Sequence, residues 1–463
     1  MSIPYVTEID PKYGEVVQVT AGIRRVIANN PGRFTFTGTG TYIVGRGQVA
    51  VIDPGPEDDE HVAAILAAVS GEEITHIIAT HTHRDHSPAS RALQTATGAP
   101  ILGFGSHPVV SEQSAILAKP TTWDALYPTE EEIEELRKSM PASSKENTEH
   151  DQEEPGDMSF SPDIEIGHGD VIAGGTWTLE ALHTPGHISN HLCFGYKEEQ
   201  SLFTGDHVMG WSTSVIPEPE GSMNAYMESL TMLLERKDKF FYPTHGPRIP
   251  NPIDFTSALI NHRISRENQI LDCLHVASKT IPELVTEMYV ETPHILHMAA
   301  GQSVFSHLVH LVEKNLVKTD GPPSAEGPLR ACKMKLGAQY GYWTREPKLD
   351  IVSVALEAEN LGYDSLWTGE SYSSDAFTPL CWVGAHTSKI KLATGIAQLG
   401  ARTPATLAMQ AMTLDTLSGG RFCLGIGVSG PQVIEGWHGQ PFGKPIARTK
   451  ETININLKNS PQR

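Results

Sequence analysis

Within six residues, His81-Thr82-His83-Arg84-Asp85-His86 sets three imidazoles and a carboxylate directly behind the apolar run ITHIIAT. Imidazole nitrogen and carboxylate oxygen are donors that zinc accepts, and iron and manganese use the same mixture. A structural reading would need four polar side chains to find separate partners at one strand end, so this density points to a metal. Three later places offer donors of the same kind, each after an apolar run and beside Gly or Pro. LEALHTPGH presents His187, SLFTGD presents Asp206 and FFYPTHGP presents His245. Four donors in the loop and three beyond it make seven, the number expected for two metal ions.

The elements that must hold these donors are short. TYIVGRGQVAVIDPGP reads as two strands joined at Gly45-Arg46-Gly47, a hairpin ending at Asp53. EDDEHVAAILAAVSG follows as an amphipathic helix with Val62, Ile65, Leu66 and Val69 on one stripe. ITHIIAT is a buried strand. Ser87 is expected to cap the next helix, SPASRALQTATG, with Pro88 at its first position. The histidine loop thus lies between a strand end and a helix start. Further strands are TWTLEAL, QSLFTGD and KFFYPTH. The acidic stretch from Glu130 to Asp157 reads as a solvated helix and loop.

The 463 residues are too many for one ordinary domain. With 39% hydrophobic and 19% charged residues the composition is that of a soluble globular protein. A formal charge of -20 argues against nonspecific coating of nucleic acid or anionic membrane. The N-terminus lacks the basic start and apolar core of a signal peptide, and no run of about eighteen apolar residues offers a membrane span. Five scattered cysteines, Cys193, Cys273, Cys332, Cys381 and Cys423, never form Cys-x-x-Cys. They read as reduced core filler in a cytoplasmic protein.

After residue 250 the texture turns helical. NHRISRENQILDCL, a helix opened by Thr280-Ile281-Pro282-Glu283, and SVFSHLVHLVEKNLVKTD make a three-helix module with a short wing. His294/His297 and His307/His310 are spaced to meet on a helix, but no carboxylate or cysteine stands beside them in sequence, so they read as structural. GPPSAEGPLRACK reads as a linker. Beyond it, strands MKLGAQYGYW, DSLWTGE, IKLATGIAQL and RFCLGIGVSG alternate with three helices, the pattern of a parallel sheet with helical crossovers. GIGVSG places Gly425, Gly427 and Gly430 as Gly-x-Gly-x-x-Gly, with Pro431 and no convincing helix after it. It reads best as a strand end where Gly427 and Gly430 let a cofactor phosphate approach.

Asp53 after a hairpin, then His-x-His-x-Asp-His, Thr-Pro-Gly-His, Gly-Asp and Thr-His-Gly, together resemble the metallo-beta-lactamase superfamily over about 200 residues. The resemblance implies an αββα sandwich with the metals at one sheet edge. It implies His81, His83 and His187 on one ion, Asp85, His86 and His245 on the other, and Asp206 bridging. Asp53 would support the loop from behind the ligands, and His191, four residues past His187, is either a support of the same kind or surface. His207 is expected to be structural. Two ions about 3.5–4 Å apart share a hydroxide at neutral pH. Asp85 is the expected catalytic residue, orienting that hydroxide and holding its proton. Two zinc ions are expected, with iron or manganese as alternatives.

The helices after His245 are similar to those of the beta-lactamase-like protein 2 group, some members of which look like nucleases of single-stranded RNA. Arg263, Arg266, Lys314 and Lys318 give this module some positive charge, without the fuller basic track of a protein built to grip RNA. The expected reaction is therefore hydrolysis of an ester, thioester, lactone or phosphodiester in a small-molecule substrate. Single-stranded RNA is the alternative, no membrane partner is expected, and a homo-oligomer is left open.

Residues 334–448 resemble the deazaflavin-dependent branch of the luciferase-like monooxygenases. MKLGAQYGYW, Leu361–Trp367, Asp375–Pro379, ARTPATLAMQAMTLDTLSGGRF and GVSGPQVIEGWHGQPFGKP carry that likeness. It implies a TIM-type (β/α) barrel with a flavin or deazaflavin at the strand ends, cut short after four strands where eight need about 250 residues. A fusion with a truncated second partner is expected, one that binds its cofactor poorly. The rival reading makes the oxidoreductase primary and the hydrolase accessory. The expected organisation is an α/β chain: sandwich 1–250, winged-helix-like module 251–320, linker 321–333, truncated (β/α) TIM-barrel segment 334–448 and polar tail 449–463.

Overall fold

The computed structural model describes residues 3–132, 134, 156–332, 335–341, 350–372 and 374–459. Most of the acidic 130–157 stretch, expected to be solvated, therefore lies outside the described residues. The chain forms two compact units, Met1–Cys332 and Lys333–Arg463.

The first unit begins with β1 (Val17–Gln18), β2 (Ile23–Ile27), β3 (Gly40–Arg46) and β4 (Gln48–Ile52), an antiparallel series. The β3–β4 hairpin turns at Gly45–Gly47 as expected, with positive φ at Gly45 and Gly47. Parallel strands β5 (Glu73–Ile78), β6 (Ile101–Gly103) and β7 (Ile164–Glu165) complete a seven-stranded sheet in sequence order. Helices α1 (Asp59–Ala68) and α2 (Ser90–Thr97) supply Ile65 and Leu93 to a core shared with Ile43, Val51 and Ile77 of this sheet. Asp58 caps α1, accepting from the Glu60 amide at 2.9 Å. Ser87 does not cap α2, which starts at Ser90 behind Ala89. Instead the Ser87 hydroxyl donates to Asp157 Oδ2 at 2.9 Å, because the turn after His86 carries it inward.

The second sheet runs β13 (Ile249–Pro250), β12 (Phe240–Pro243), β11 (Ser201–Gly205), β10 (Leu192–Tyr196), β9 (Trp177–His183) and β8 (Val171–Gly174). Its inward residues Leu179, Phe194, Phe203 and Tyr242 pack on Tyr42, Val44 and Ile52 of the first sheet. After α3 (Glu112–Ala118), helix α4 (Met223–Leu234) and the start of α5 (Pro252–Val276) cover the other face through Tyr226, Leu230, Phe255 and Leu259. Two sheets face to face with helices outside both make the expected αββα sandwich, the form in which each sheet buries both faces.

Helices α5, α6 (Ile281–Met288) and α7 (His297–Glu313) build the module, with the two-stranded ribbon β14 (Val317–Lys318) and β15 (Arg330–Ala331) as its wing. The segment read as a linker is part of this module. Ala325 and Leu329 are buried in its core, and the Trp123 indole donates to the Ala325 carbonyl at 3.0 Å. Pro and Gly mark a turn here, and a turn can be packed as tightly as a strand. Residues His294–Glu313 reach the length and apolarity of a membrane span, which sequence reading had not found. Val304, Phe305, Leu308 and Leu311 of that helix are core residues of the module.

The second unit contains β16 (Gly337–Tyr340), β17 (Ser365–Thr368), β18 (Lys391–Thr394) and, after the short β19 (Ala397–Gln398), β20 (Phe422–Cys423). β16, β17, β18 and β20 are parallel and adjacent in sequence order, while β19 pairs with β21 (Ile426–Gly427). Helices α8 (Ile351–Asn360), α9 (Phe377–His386) and α10 (Pro404–Leu417) form the crossovers, and their Ala355, Leu380 and Leu407 meet Leu366 and Leu392 in one core. A short helix α11 (Pro431–Ile434) does follow the glycine motif, and α12 (Pro445–Asn459) spans most of what reads as a polar tail. Cys193 is buried, whereas Cys381 and Cys423 are exposed, so filling the core does not explain the latter pair.

Candidate metal centre

Of the five strand ends that lead into the site, three are tied to Asp53, which follows β4 with φ of 50° and is fully buried. Its Oδ1 accepts from the Thr80 amide at 2.8 Å, beyond the end of β5. Its Oδ2 accepts from the Thr80 hydroxyl at 2.9 Å and the Thr244 hydroxyl at 2.5 Å, and faces His86 Nδ1 at 3.0 Å. One carboxylate thereby fixes the ends of β4, β5 and β12 relative to each other. The other two ends, of β9 and β11, lead into His187 and Asp206.

All seven donors expected from the sequence come together there. His83 Nδ1 lies 3.0 Å from His81 Nε2 and 3.0 Å from His187 Nε2. His245 Nε2 lies 3.0 Å from Asp85 Oδ2, and Asp206 Oδ1 lies 3.5 Å from both His86 Nε2 and His245 Nε2. Their donor atoms form three overlapping groups, each within 4.8 Å: His81/His83/His187, His81/His86/Asp206 and Asp85/His86/His245. His86 Nε2, Asp206 Oδ1 and His245 Nε2 are buried without a hydrogen-bond partner. Buried polar atoms are normally satisfied, so a cluster of orphans aimed at one point fits a bound cation.

The far side of four of the five imidazoles is engaged. His81 Nδ1 meets the Thr80 hydroxyl at 3.1 Å, His187 Nδ1 donates to the Val215 carbonyl at 2.7 Å and His245 Nδ1 to the Gly38 carbonyl at 3.3 Å. With His86 on Asp53, four rings are oriented from behind with their other nitrogen facing the centre, the arrangement that metal-binding histidines adopt.

The two halves differ in charge. Burial holds the pKa of His83 down at about 3 and lowers those of His81 and His187, so these three rings are neutral donors. Burial would also lower His245, but Asp206 and then Asp85 outweigh it and raise its pKa to about 10. His86 is likewise raised by Asp85 and Asp206, and both carboxyls are held ionised against burial by His86 and His245. Without metal, this half holds protons where a divalent ion would sit.

Phe34, Met209 and Val215 line the pocket beside His83, Asp85, His187 and Asp206. Phe36 and Trp211 stack at 4.9 Å nearby. These apolar neighbours carried no sequence signal. A threonine does precede both His81 and His245 in the sequence, and that repeated pair was a usable sign of the Asp53 anchor. His107 was also missed. It is buried, its Nδ1 is 2.9 Å from the Thr82 hydroxyl, and Asn190 donates to the same hydroxyl at 2.9 Å.

His191 is not surface. It is fully buried, stacks on His81 at 5.2 Å, bonds the Thr184 hydroxyl and accepts from the Asp206 amide at 3.2 Å. His207 is buried against Tyr226 and belongs to none of the three donor groups. Carboxylates distant in sequence reach the other histidine pairs: Glu132 lies 3.0 Å from His294 Nδ1, and Glu267 lies 2.6 Å from His310 Nδ1 and 3.4 Å from His307 Nδ1. Neither set forms a further metal group among the described residues. In the second unit, a Cβ on Gly427 would lie 2.4 Å from Ile396 Cδ1, and one on Gly425 would lie 2.1 Å from the Thr394 carbonyl. Close packing accounts for Gly425, where the neighbour is backbone, while at Gly427 the neighbour is the flexible end of a side chain. Gly430 meets only the Gln432 side chain.

The family profile described as metallo-beta-lactamase superfamily matches residues 35–245. Those for the beta-lactamase associated winged helix domain and luciferase-like monooxygenase match 280–323 and 332–458. An atrochrysone carboxyl ACP thioesterase of Passalora fulva is 30% identical over 60% of this chain and 71% of its own length. A lactamase-like protein of Aspergillus niger is 29% identical over 70% of this chain and 93% of its length. In the C-terminal region, a putative coenzyme F420-dependent oxidoreductase of Mycobacterium tuberculosis is 54% identical over 122 residues, and the chain spans 35% of that relative. A beta-lactamase domain protein from Burkholderia ambifaria shares the fold, with a TM-score of 0.51 and 17% identity over 70% of this chain and 97% of its own.

Proposed function

Because the chain belongs to the metallo-beta-lactamase superfamily and is a hydrolase with a His/Asp metal site, we propose that its first unit hydrolyses an acyl thioester with two divalent ions, zinc first. The convergence of orphaned buried donors on His86, Asp206 and His245 beside the three neutral imidazoles is the observation that carries this reading. The thioesterase relatives and the apolar pocket wall of Phe34, Met209 and Val215 favour an acyl thioester over a charged substrate.

His81, His83 and His187 would hold one ion, Asp85, His86 and His245 the other, with Asp206 shared. Divalent ions held by these residues would lower the pKa of bound water and polarise the scissile carbonyl. Asp85, an ionised carboxylate in the pocket wall, orients the attacking water and accepts its proton. Water adds across the C–S bond, giving a carboxylic acid and a free thiol. Phe34, Met209 and Val215 keep bulk water from the acyl group. In the second unit, the likeness to an F420-dependent oxidoreductase supports contact with a deazaflavin at the strand ends, read from the visible absorption of purified protein.

Metal analysis and a comparison of wild type with Asp85→Ala on thioesters, esters, lactones, lactams and single-stranded RNA test the proposal. Thioester turnover should fall at least about 100-fold in the variant, the scale of a lost acid–base group. Turnover that survives the substitution undiminished, or RNA cleaved in preference to every thioester, would overturn it.

A further inference from the structure

The strip that follows Asp206 is held by three different elements through three consecutive carbonyls. Arg263 of α5 donates from Nη2 to the Ser214 carbonyl at 2.5 Å. His187 donates from Nδ1 to the Val215 carbonyl at 2.7 Å. Ser306 of α7 donates from Oγ to the Ile216 carbonyl. The Ser214 hydroxyl closes the other end, meeting the Asp206 carbonyl at 2.6 Å and that of His207 at 2.9 Å.

The middle bond sets the chemistry of His187. A carbonyl at Nδ1 requires the proton there, which leaves the Nε2 lone pair facing His83 and the centre. Where the Val215 carbonyl sits therefore decides how His187 is aimed, and the peptides on either side are pinned by helices of the module. Arg263 also packs on Tyr226, which lies against the turn that carries His187. Its guanidinium lies 5.3 Å from the Tyr226 ring, and the Tyr226 backbone sits so close to Gly186 that a Cβ there would lie 2.5 Å from the Tyr226 Cα. Arg263 is buried, so its guanidinium bonds the Ser214 carbonyl within the protein rather than facing solvent.

We propose that the helical module is a clamp on the metal centre, in which Arg263 and Ser306 are positioning residues that hold the Ser214–Ile216 strip so that the Val215 carbonyl aims His187. The proposal rests on the metal-centre reading. It gives α5 and α7 a task in the hydrolytic site that is independent of whatever the wing contacts.

The test uses the full chain as Arg263→Met, Arg263→Lys and Ser306→Ala. Zinc affinity is read by competition with a chromophoric chelator, the site's geometry by the visible spectrum of the cobalt(II)-substituted protein, and folding by melting of the metal-free protein. Arg263→Met and Ser306→Ala should each weaken zinc about 10-fold or more and alter the cobalt spectrum, the scale seen when a ligand loses its outer support. Arg263→Lys, which keeps a donor, should recover part of the loss. Ser306→Ala removes one oxygen and leaves the helix intact, so it carries the test if Arg263→Met fails to fold. Affinity and cobalt spectrum equal to wild type in Ser306→Ala and in any folded Arg263→Met would overturn the clamp alone. A wild-type chain that takes up neither ion would overturn the centre and the clamp with it.

Discussion

Asp53 Oδ2 lies 3.0 Å from His86 Nδ1, and both side chains are sealed from solvent. The same carboxylate receives Thr80 and Thr244, so it is the point at which three strand ends are tied to one ligand ring. Replacing it with Ala strands a buried imidazole and two hydroxyls. Breaking such a buried pair costs about 3–5 kcal/mol. Asp53→Ala should melt well below wild type even without metal, and zinc titration should show weakened uptake. Unchanged melting and uptake would mean that the strand ends are held by packing alone.

Metal removal has its own signature. Ligand at about 100 times its dissociation constant adds about 2.7 kcal/mol to the folded state. Chelation should therefore lower the melting temperature of wild type by several degrees and abolish hydrolysis, both reversed by zinc. Asp206→Asn should show little of this difference, because the shared donor is lost. Calorimetry with and without chelator checks both.

The module is acid-sensitive through groups that are not among the seven donors. Burial, aided by Arg263 and Arg266, lowers the His262 pKa to about 4, and burial lowers that of His307 despite Glu267. Burial would raise Glu267, but His307 and His310 hold it down at about 2. At all three sites the unfolded chain binds more protons at low pH than the folded one, so stability is present near neutrality and falls with pH. The loss should begin below about pH 6.5 with the histidines and continue below about 4.5 with Glu267. Glu267→Gln should flatten the lower part of this slope and His262→Asn the upper part in melting curves recorded against pH.

The glycines of the second unit test packing against cofactor contact. Gly425→Ala drives a methyl into the Thr394 carbonyl, an overpacking worth about 1–3 kcal/mol. Cooperative unfolding of the second unit should come earlier in this variant, with zinc content of the first unit unchanged. Stability equal to wild type, with altered deazaflavin absorption only, would instead assign the glycine to ligand approach.

Much of the site was legible because its signals are local. The His81–His86 loop and the turns before His187 and His245 each place a donor beside its own strand end. The hairpin of β3 and β4 announced itself through Gly45 and Gly47 in the same way. What sequence could not show depends on partners far along the chain. His307 and His310 were rightly spaced to meet on one helix, yet their carboxylate, Glu267, lies 43 residues before His310 on another helix. His191 looked as much like surface as support until Thr184 and the Asp206 amide closed around it. Ser87 had every local mark of a helix cap, and Asp157, 70 residues on, drew its hydroxyl elsewhere. The linker reading failed for a related reason: Pro and Gly report backbone shape, and Ala325 is buried by Trp123, which precedes it by 202 residues.

The β14–β15 ribbon decides where this chain can be divided. Arg330 and Ala331 pair with Val317 and Lys318, and the Cys332 amide donates to the Leu316 carbonyl. A shortened gene ending at residue 320 would therefore lose a strand and the residues that shield Trp123, and its product would display that bared indole to chaperones and proteases. A gene ending at residue 332 keeps the first unit whole, which makes that residue the stop codon of choice for preparing the hydrolase alone.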